Sequence, residues 1–316
     1  MSPRHLGLGL AVALGLLIAP VIAAEPVLLR YKFAKGEKLV YRTLHEEKQV
    51  QTIGDQKIET ATNQNVVSSR VVDAVDARGN ATLKSQVVRR KMSVDGPGGK
   101  FVFDSKSSER DTSSEIGGTV TPILERLTGS EYEIKMSPRG NVLEVKGFAE
   151  LIADLVKDKP GAALQAGIMA DNDGAKHSEQ EEVVVFSEKP VEPGDSWEES
   201  FEVELKGVGK VKGKVFYTYE ADDKVGDRKT VRIGVKTDVT VDLDVDAMGA
   251  KVTGMVSTNS SEGVVQFDPA AGRVVAVKHK MSMSGQLTVN AGGMVIPVDN
   301  FEEHVRTTEL LSKLPE

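Results

Sequence analysis

The 316-residue chain carries 40 lysines and arginines against 47 aspartates and glutamates, a formal net charge of −7, and contains no cysteine. The missing thiol excludes disulfides, cysteine-ligated metals, a cysteine nucleophile and a lipid-anchoring cysteine. The acidic balance argues against general nucleic-acid binding, which needs a basic face to displace counterions, while 40% hydrophobic and 28% charged residues describe a folded protein rather than a disordered one.

Residues 1–24 read as a secretory signal peptide. Arg4 and His5 give a basic start, Leu6 to Ile22 form an apolar run, and Val21-Ile22-Ala23-Ala24 supplies the small residues of a cleavage site. The run is at the lower limit for spanning a bilayer, so the expected product is a periplasmic or secreted protein with no permanent membrane span, beginning at Ala24 or Glu25.

A first β-rich half is predicted over residues 25–170. It opens with Leu29-Arg30-Tyr31-Lys32-Phe33, then Lys35-Gly36-Glu37 and Tyr41. Arg89, Arg90 and Lys91 point alternately to opposite faces if they lie in a strand, so they are not one phosphate-binding patch. Gly96-Pro97-Gly98-Gly99 reads as a hairpin turn. Thr121-Pro122 predicts a short helix ending at Gly129, with threonine as N-cap and proline at the first position. Phe148, Leu151, Ile152 and Leu155 fall at i, i+3, i+4 and i+7, one apolar face of a second helix. A further alanine-rich turn is read from Gly161 to Met169. Residues 171–182, polar and aperiodic, read as an exposed linker.

The second β-rich half, 183–316, opens with Lys189-Pro190-Val191-Glu192-Pro193-Gly194-Asp195-Ser196-Trp197. Trp197, Phe201, Val203 and Leu205 alternate with glutamates and serine. Between Thr230 and Asp246, Val231, Ile233, Val235, Val239, Val241, Leu243 and Val245 take the odd positions while charged residues dominate the even ones. A period of two is the signature of a strand with one wet face, and one-faced alternation implies antiparallel pairing. At about 3.3 Å per residue this strand would run roughly 55 Å, which calls for a strongly curved sheet or a barrel. Val275 to Val289 repeats the pattern, with His279, Met281 and Met283 on the apolar side. Pairing the strand around Val211–Tyr219 with the long strand puts Tyr217 and Tyr219 on the face of Ile233 and Val231, and Lys210 and Lys212 near Asp238 and Asp242.

The predicted fold is therefore mainly β, with long curved antiparallel sheets in two similar halves and a few short helices in the middle of the chain. The Leu-x-Tyr-x-Phe-x-x-Gly-Glu opening, the Lys-Pro-Val-x-Pro-Gly-Asp-Ser-Trp centre and the turn at Ser137-Pro138-Arg139-Gly140-Asn141-Val142, echoed by Asp268-Pro269-Ala270-Ala271-Gly272-Arg273, resemble an uncharacterised family of exported bacterial proteins known only as a domain of unknown function. The resemblance implies no catalytic residues. The same turns suggest an internal repeat of about 150 residues. At fold level the long strands also resemble the LolA-like lipoprotein carriers, an analogy that says nothing of function.

Chemical motifs are mostly missing. His45, His177, His279 and His304 are the histidines beyond residue 24, none spaced as metal ligands along one helix or strand. His279, on an apolar face, reads as a hydrogen-bonded structural residue, and His45 has no identifiable partner. Asp242-Leu243-Asp244-Val245-Asp246 starts like a calcium loop but lacks its glycine and terminal glutamate, so it reads as a solvated strand face. Glu198, Glu202, Glu179, Glu181 and Glu182 offer carboxylates without singling out a pair. Trp197 reads as core at a strand entrance. No cofactor, metal or catalytic residue is expected.

On this reading the protein is not an enzyme. Its apolar rows are too long for one short helix to cover, so either the other half's sheet or a ligand covers them. A lipid or other apolar or amphipathic cell-envelope molecule is the expected guest, with Tyr217, Tyr219, Met281 and Met283 as its lining. Two other readings stay open: a structural or protein-binding module presenting its sheet edges, and an envelope glycan hydrolase using two of the carboxylates.

Overall fold

The computed structural model describes residues 25–108, 115–156, 172–205, 207–247 and 249–315. The signal-peptide segment 1–24 and the turn expected at 161–169 lie outside the described residues.

The alternating segments become strands of unusual length. In chain order they are β1 (Lys38–Ile53), β2 (Gln56–Val75), β3 (Ala81–Gly96) and β4 (Gly99–Asp104), followed by α1 (Glu115–Leu127), β5 (Glu131–Met136), β6 (Val142–Lys146), α2 (Phe148–Val156) and α3 (Asn172–Glu181). The second run is β7 (Ser196–Leu205), β8 (Gly209–Val225), β9 (Arg228–Ala247), β10 (Ala250–Asp268), β11 (Arg273–Ala291) and β12 (Met294–Leu311). All pair antiparallel in one open sheet of order β6-β5-β3-β2-β1-β12-β11-β10-β9-β8-β7, with β4 attached to β3. Two meanders are thus joined in the middle, where β1 lies against β12 from Val40↔Leu311 to Thr52↔Asp299.

The outermost strands approach a common object. Helix α3 packs on both β6 and β7, so the sheet curls until its edges flank one helix. The segment after α3 ties the seam. Phe186 N–H donates to the Arg139 carbonyl at 2.8 Å, and Trp197 Nε1–H donates to the Val185 carbonyl at 2.8 Å. Arg139 also pairs with Glu199 of β7. Inside the curl, residues of both meanders share one core: Val72, Leu83 and Ile134 from one side, Tyr219, Ile233 and Val265 from the other. Tyr31, Phe186 and Phe267 meet at its centre, with ring centroids 4.4 to 5.8 Å apart.

The hairpin β8–β9 keeps the expected faces with a two-residue offset in one pair. Lys210 lies opposite Asp242, but Lys214 rather than Lys212 faces Asp238, and Lys212 faces Thr240. Directly opposed residues share a face, so Lys212 and Asp238 do lie on the same exposed side. The lysines bond across the other way, Lys214 to Glu198 at 3.1 Å and Lys210 to Glu202.

Two local expectations are corrected. Helix α1 begins at Glu115, with Pro122 inside it rather than at its first turn, so Thr121 is not the N-cap. It is instead a buried core residue. Residues 172–181, expected as part of an exposed linker, form α3. Its inward side is built from Ala175, which is fully buried, and from polar groups whose partners sit on distant strands. A hydrophobic period does not see such a helix.

Candidate functional site

The inner face of the sheet carries two tracks side by side. Odd residues of β1 and even residues of β12 share this face through their register: Thr43 with Thr308, His45 with Arg306, Glu47 with His304, and Gln49 with Glu302. On the other flank of β12, β11 brings His279 opposite Arg306, Met281 opposite His304 and Met283 opposite Glu302. A polar track on β1 and β12 therefore runs along an apolar track that begins at β11.

The polar track is organised around Glu302. Its Oε1 accepts from Gln49 Nε2 at 3.1 Å and from Asn300 Nδ2 at 2.9 Å, and its Oε2 lies 3.2 Å from His304 Nε2. The hydrogen bond to His304 holds the Glu302 carboxyl below its usual range, and the same contact raises the His304 imidazole above its own. The His45 ring lies 5.7 Å from that of His304. Burial lowers His45 and raises Glu47, each toward its neutral form. One ligand atom from each of His45, Glu47 and His304 lies within 4.8 Å of the other two. Arg306, next along, is held by Glu182 at 2.9 Å and by the Glu181 carbonyl at 2.9 Å.

The apolar track is a cluster of its own. Val256, Met283, Leu287 and Val298 are buried against one another, with Met281, Val289 and Ile296 half-buried at its margin.

The four residues expected to line one ligand space are split between these regions. Tyr217 and Tyr219 belong to the filled core, Tyr217 stacked on Trp197 at 5.4 Å and Tyr219 donating to Asp222 Oδ1 at 2.6 Å. Met281 and Met283 lie on β11 in the other cluster. The cause is the shared core: where the two meanders face each other, the tyrosines are consumed in packing. The core cavity bounded by Tyr31, Tyr41, Arg70 and Met136 has about 60 Å³, room for a few waters.

His279 keeps its structural role, with Nε2 2.9 Å from Ser261 Oγ, and burial lowers it to about 4. Arg89 and Lys91 reach Asp104, whereas Arg90 bonds Gln64, so the basic triplet divides between two faces. The glutamates are dispersed: Glu179 pairs with Arg70, Glu182 with Arg306, and Glu198 and Glu202 with lysines of β8. The histidine pair is what sequence reading missed, because its two members come from the first and last strands. His45-x-Glu47 is a local signal, but nothing local points to His304.

The profile of the Family of unknown function (DUF6263) matches residues 78–292. The chain belongs to this family. A search of curated proteins finds no match. Among solved structures, a Bacteroides fragilis protein described as exported, with a YmcC-like fold, is 10% identical, with 89% of this chain and 97% of that one covered and a TM-score of 0.32. A structure of lipovitellin described by its lipid–protein interactions is 11% identical and covers 89% of this chain but 26% of its own, at a TM-score of 0.41. The Vibrio cholerae outer membrane protein OmpT is 11% identical, with 91% of this chain and all of that one covered, at a TM-score of 0.20. At scores below 0.5 none of these likenesses bears on the function of this DUF6263 chain. Among its described residues, no helix is long and apolar enough to cross a membrane.

Proposed function

We propose that this DUF6263 protein is exported and acts without catalysis, holding an amphipathic molecule of the cell envelope along the inner face of its sheet. The observation that carries this reading is the pairing of Met281 with His304 and of Met283 with Glu302 across β11 and β12. It sets an apolar rail edge to edge with a rail of imidazole, carboxylate, amide and guanidinium groups. An acyl chain suits the first, where flexible thioethers adapt to a varied guest. A hydrogen-bonding head group suits the second. The signal-peptide pattern of residues 1–24 supports export.

The reading also takes the two meanders as copies of one unit. Their opening turns make matching clips: Gly36 N–H donates to Val72 and Val72 N–H to Glu37, just as Gly194 N–H donates to Tyr219 and Tyr219 N–H to Asp195.

Native mass spectrometry of the protein purified from its own envelope tests the proposal. A reproducible added mass of one lipid class is expected, reduced in Met281→Glu with the circular dichroism spectrum retained. Ligand-free protein throughout would overturn it. Turnover of a glycan or ester panel, abolished by a single Asp or Glu substitution, would replace it with the hydrolase reading, and a stoichiometric co-purifying protein with the interaction-module reading.

A further inference from the structure

The polar track contains a constellation that amphipathic binding does not require. His45 and Glu47 are two apart on β1, so both side chains leave the same face of the strand. The antiparallel register sets His304 of β12 opposite Glu47, and the ligand atoms of the three lie within 4.8 Å of one another. A metal bound at about 2.0–2.2 Å from each donor needs them roughly 3.3–3.6 Å apart. Side-chain torsions close that difference while the β1–β12 ladder stays in place.

Two further observations separate this cluster from an ordinary surface network. His304 has a carboxylate behind its ring: Nε2 lies 3.2 Å from Glu302 Oε2, and with the proton on that nitrogen Nδ1 is left as the ligand atom. A carboxylate behind a ligating imidazole is the arrangement that fixes its tautomer and ring orientation. Glu302 is itself fixed by Gln49 and Asn300. Glu47 and the His45 ring differ from Glu302: both are half-buried on the inner face, yet neither has a hydrogen-bond partner among the described residues.

We infer that His45, Glu47 and His304 form a binding site for a divalent transition metal of the zinc class, with Glu302 as the positioning residue behind His304. Two imidazoles and one carboxylate suit zinc, cobalt, nickel or copper. Calcium and magnesium, which take all-oxygen sets, do not match. Three protein donors leave a fourth position open on the inner face, facing the polar track. The site stands on its own residues and does not depend on the amphipathic-ligand reading.

The test is isothermal titration of zinc chloride into untagged, chelator-treated protein lacking residues 1–24, followed by cobalt substitution read by visible absorption. One ion per chain is expected, with a cobalt spectrum of tetrahedral intensity and no heat from calcium or magnesium. His45→Ala and His304→Ala should each weaken zinc by more than about tenfold, and Glu302→Gln by about 10- to 100-fold. Should His304→Ala fail to fold, His45→Gln carries the same test, since the His45 ring makes no hydrogen bond among the described residues. Absence of zinc binding to the native chain overturns the site, and so does affinity unchanged in the His45 variants.

Discussion

Arg70 of β2 and Glu179 of α3 meet at 2.9 Å, with only 15% and 12% of their side chains exposed. The Tyr132 hydroxyl donates to the other oxygen of the same carboxylate at 2.5 Å. This contact explains why a segment as polar as 172–181 folds into a helix and stays against the sheet. Removing one member leaves the other buried without its counter-charge. Glu179→Met and Arg70→Met should therefore each cost about 3–5 kcal/mol in urea unfolding, while the double variant should lie closer to the native protein than either. Additive losses would contradict a coupled pair.

Gly140, in the turn between β5 and β6, has φ of +100°. A Cβ there would collide with the Val184 carbonyl oxygen and the Tyr31 ring. Gly140→Ala combines a strained backbone with a clash against the segment that ties the seam. It should destabilise the protein by more than about 1 kcal/mol, measured by thermal unfolding. Gly54→Ala, at φ +59° but in open space, is the control and should cost less.

His279 gives a pH dependence of definite sign. Burial, with Arg306 and His304 also opposing its protonation and Glu181 favouring it, lowers the folded imidazole from the ordinary 6.5 to about 4. As pH falls through that window the unfolded chain takes up a proton that the folded protein refuses. This site's contribution to stability is therefore full above pH 6.5 and lost progressively down to about pH 4. His279→Gln should flatten the slope of unfolding free energy against pH across that interval. An unchanged slope would show that His279 titrates normally.

Trp197 is the single tryptophan and sits on the seam, its indole N–H bonded to Val185 and its ring stacked on Tyr217. Its emission should be blue-shifted in the native protein. Arg139 bonds the Phe186 carbonyl through Nε at 2.7 Å and pairs with Glu199, so it holds the neighbouring strap in place. Arg139→Ala should move the emission to the red without unfolding the sheet, as followed by far-UV circular dichroism.

What the sequence made legible were features governed by period two. The alternation of Val231 to Val245 marked β9 and its wet face, and Trp197 and His279 fell where their strands put them. Features set by distant polar partners were not legible. Helix α3 has almost no apolar stripe because Arg70, Tyr132 and the Gly140 carbonyl satisfy its inward side. The cluster at His45 and His304 depends on a pairing in which Gln49 and Asn300, 251 positions apart, become neighbours. Tyr217 and Tyr219 were placed on the correct face, but whether that face met a guest or another strand depended on how far the sheet curls.

Each meander pairs strands close in sequence, whereas β1 and β12 bring together the two ends of the chain. Short-range pairings form early and long-range ones late. The two arms can therefore assemble separately, and the sheet is joined only when β12 zips onto β1. Until then β1 and β11 each show a long bare row of backbone donors and acceptors, the kind of edge that recruits other chains. Loss of β12 by truncation would turn a single curled sheet into two sticky ones.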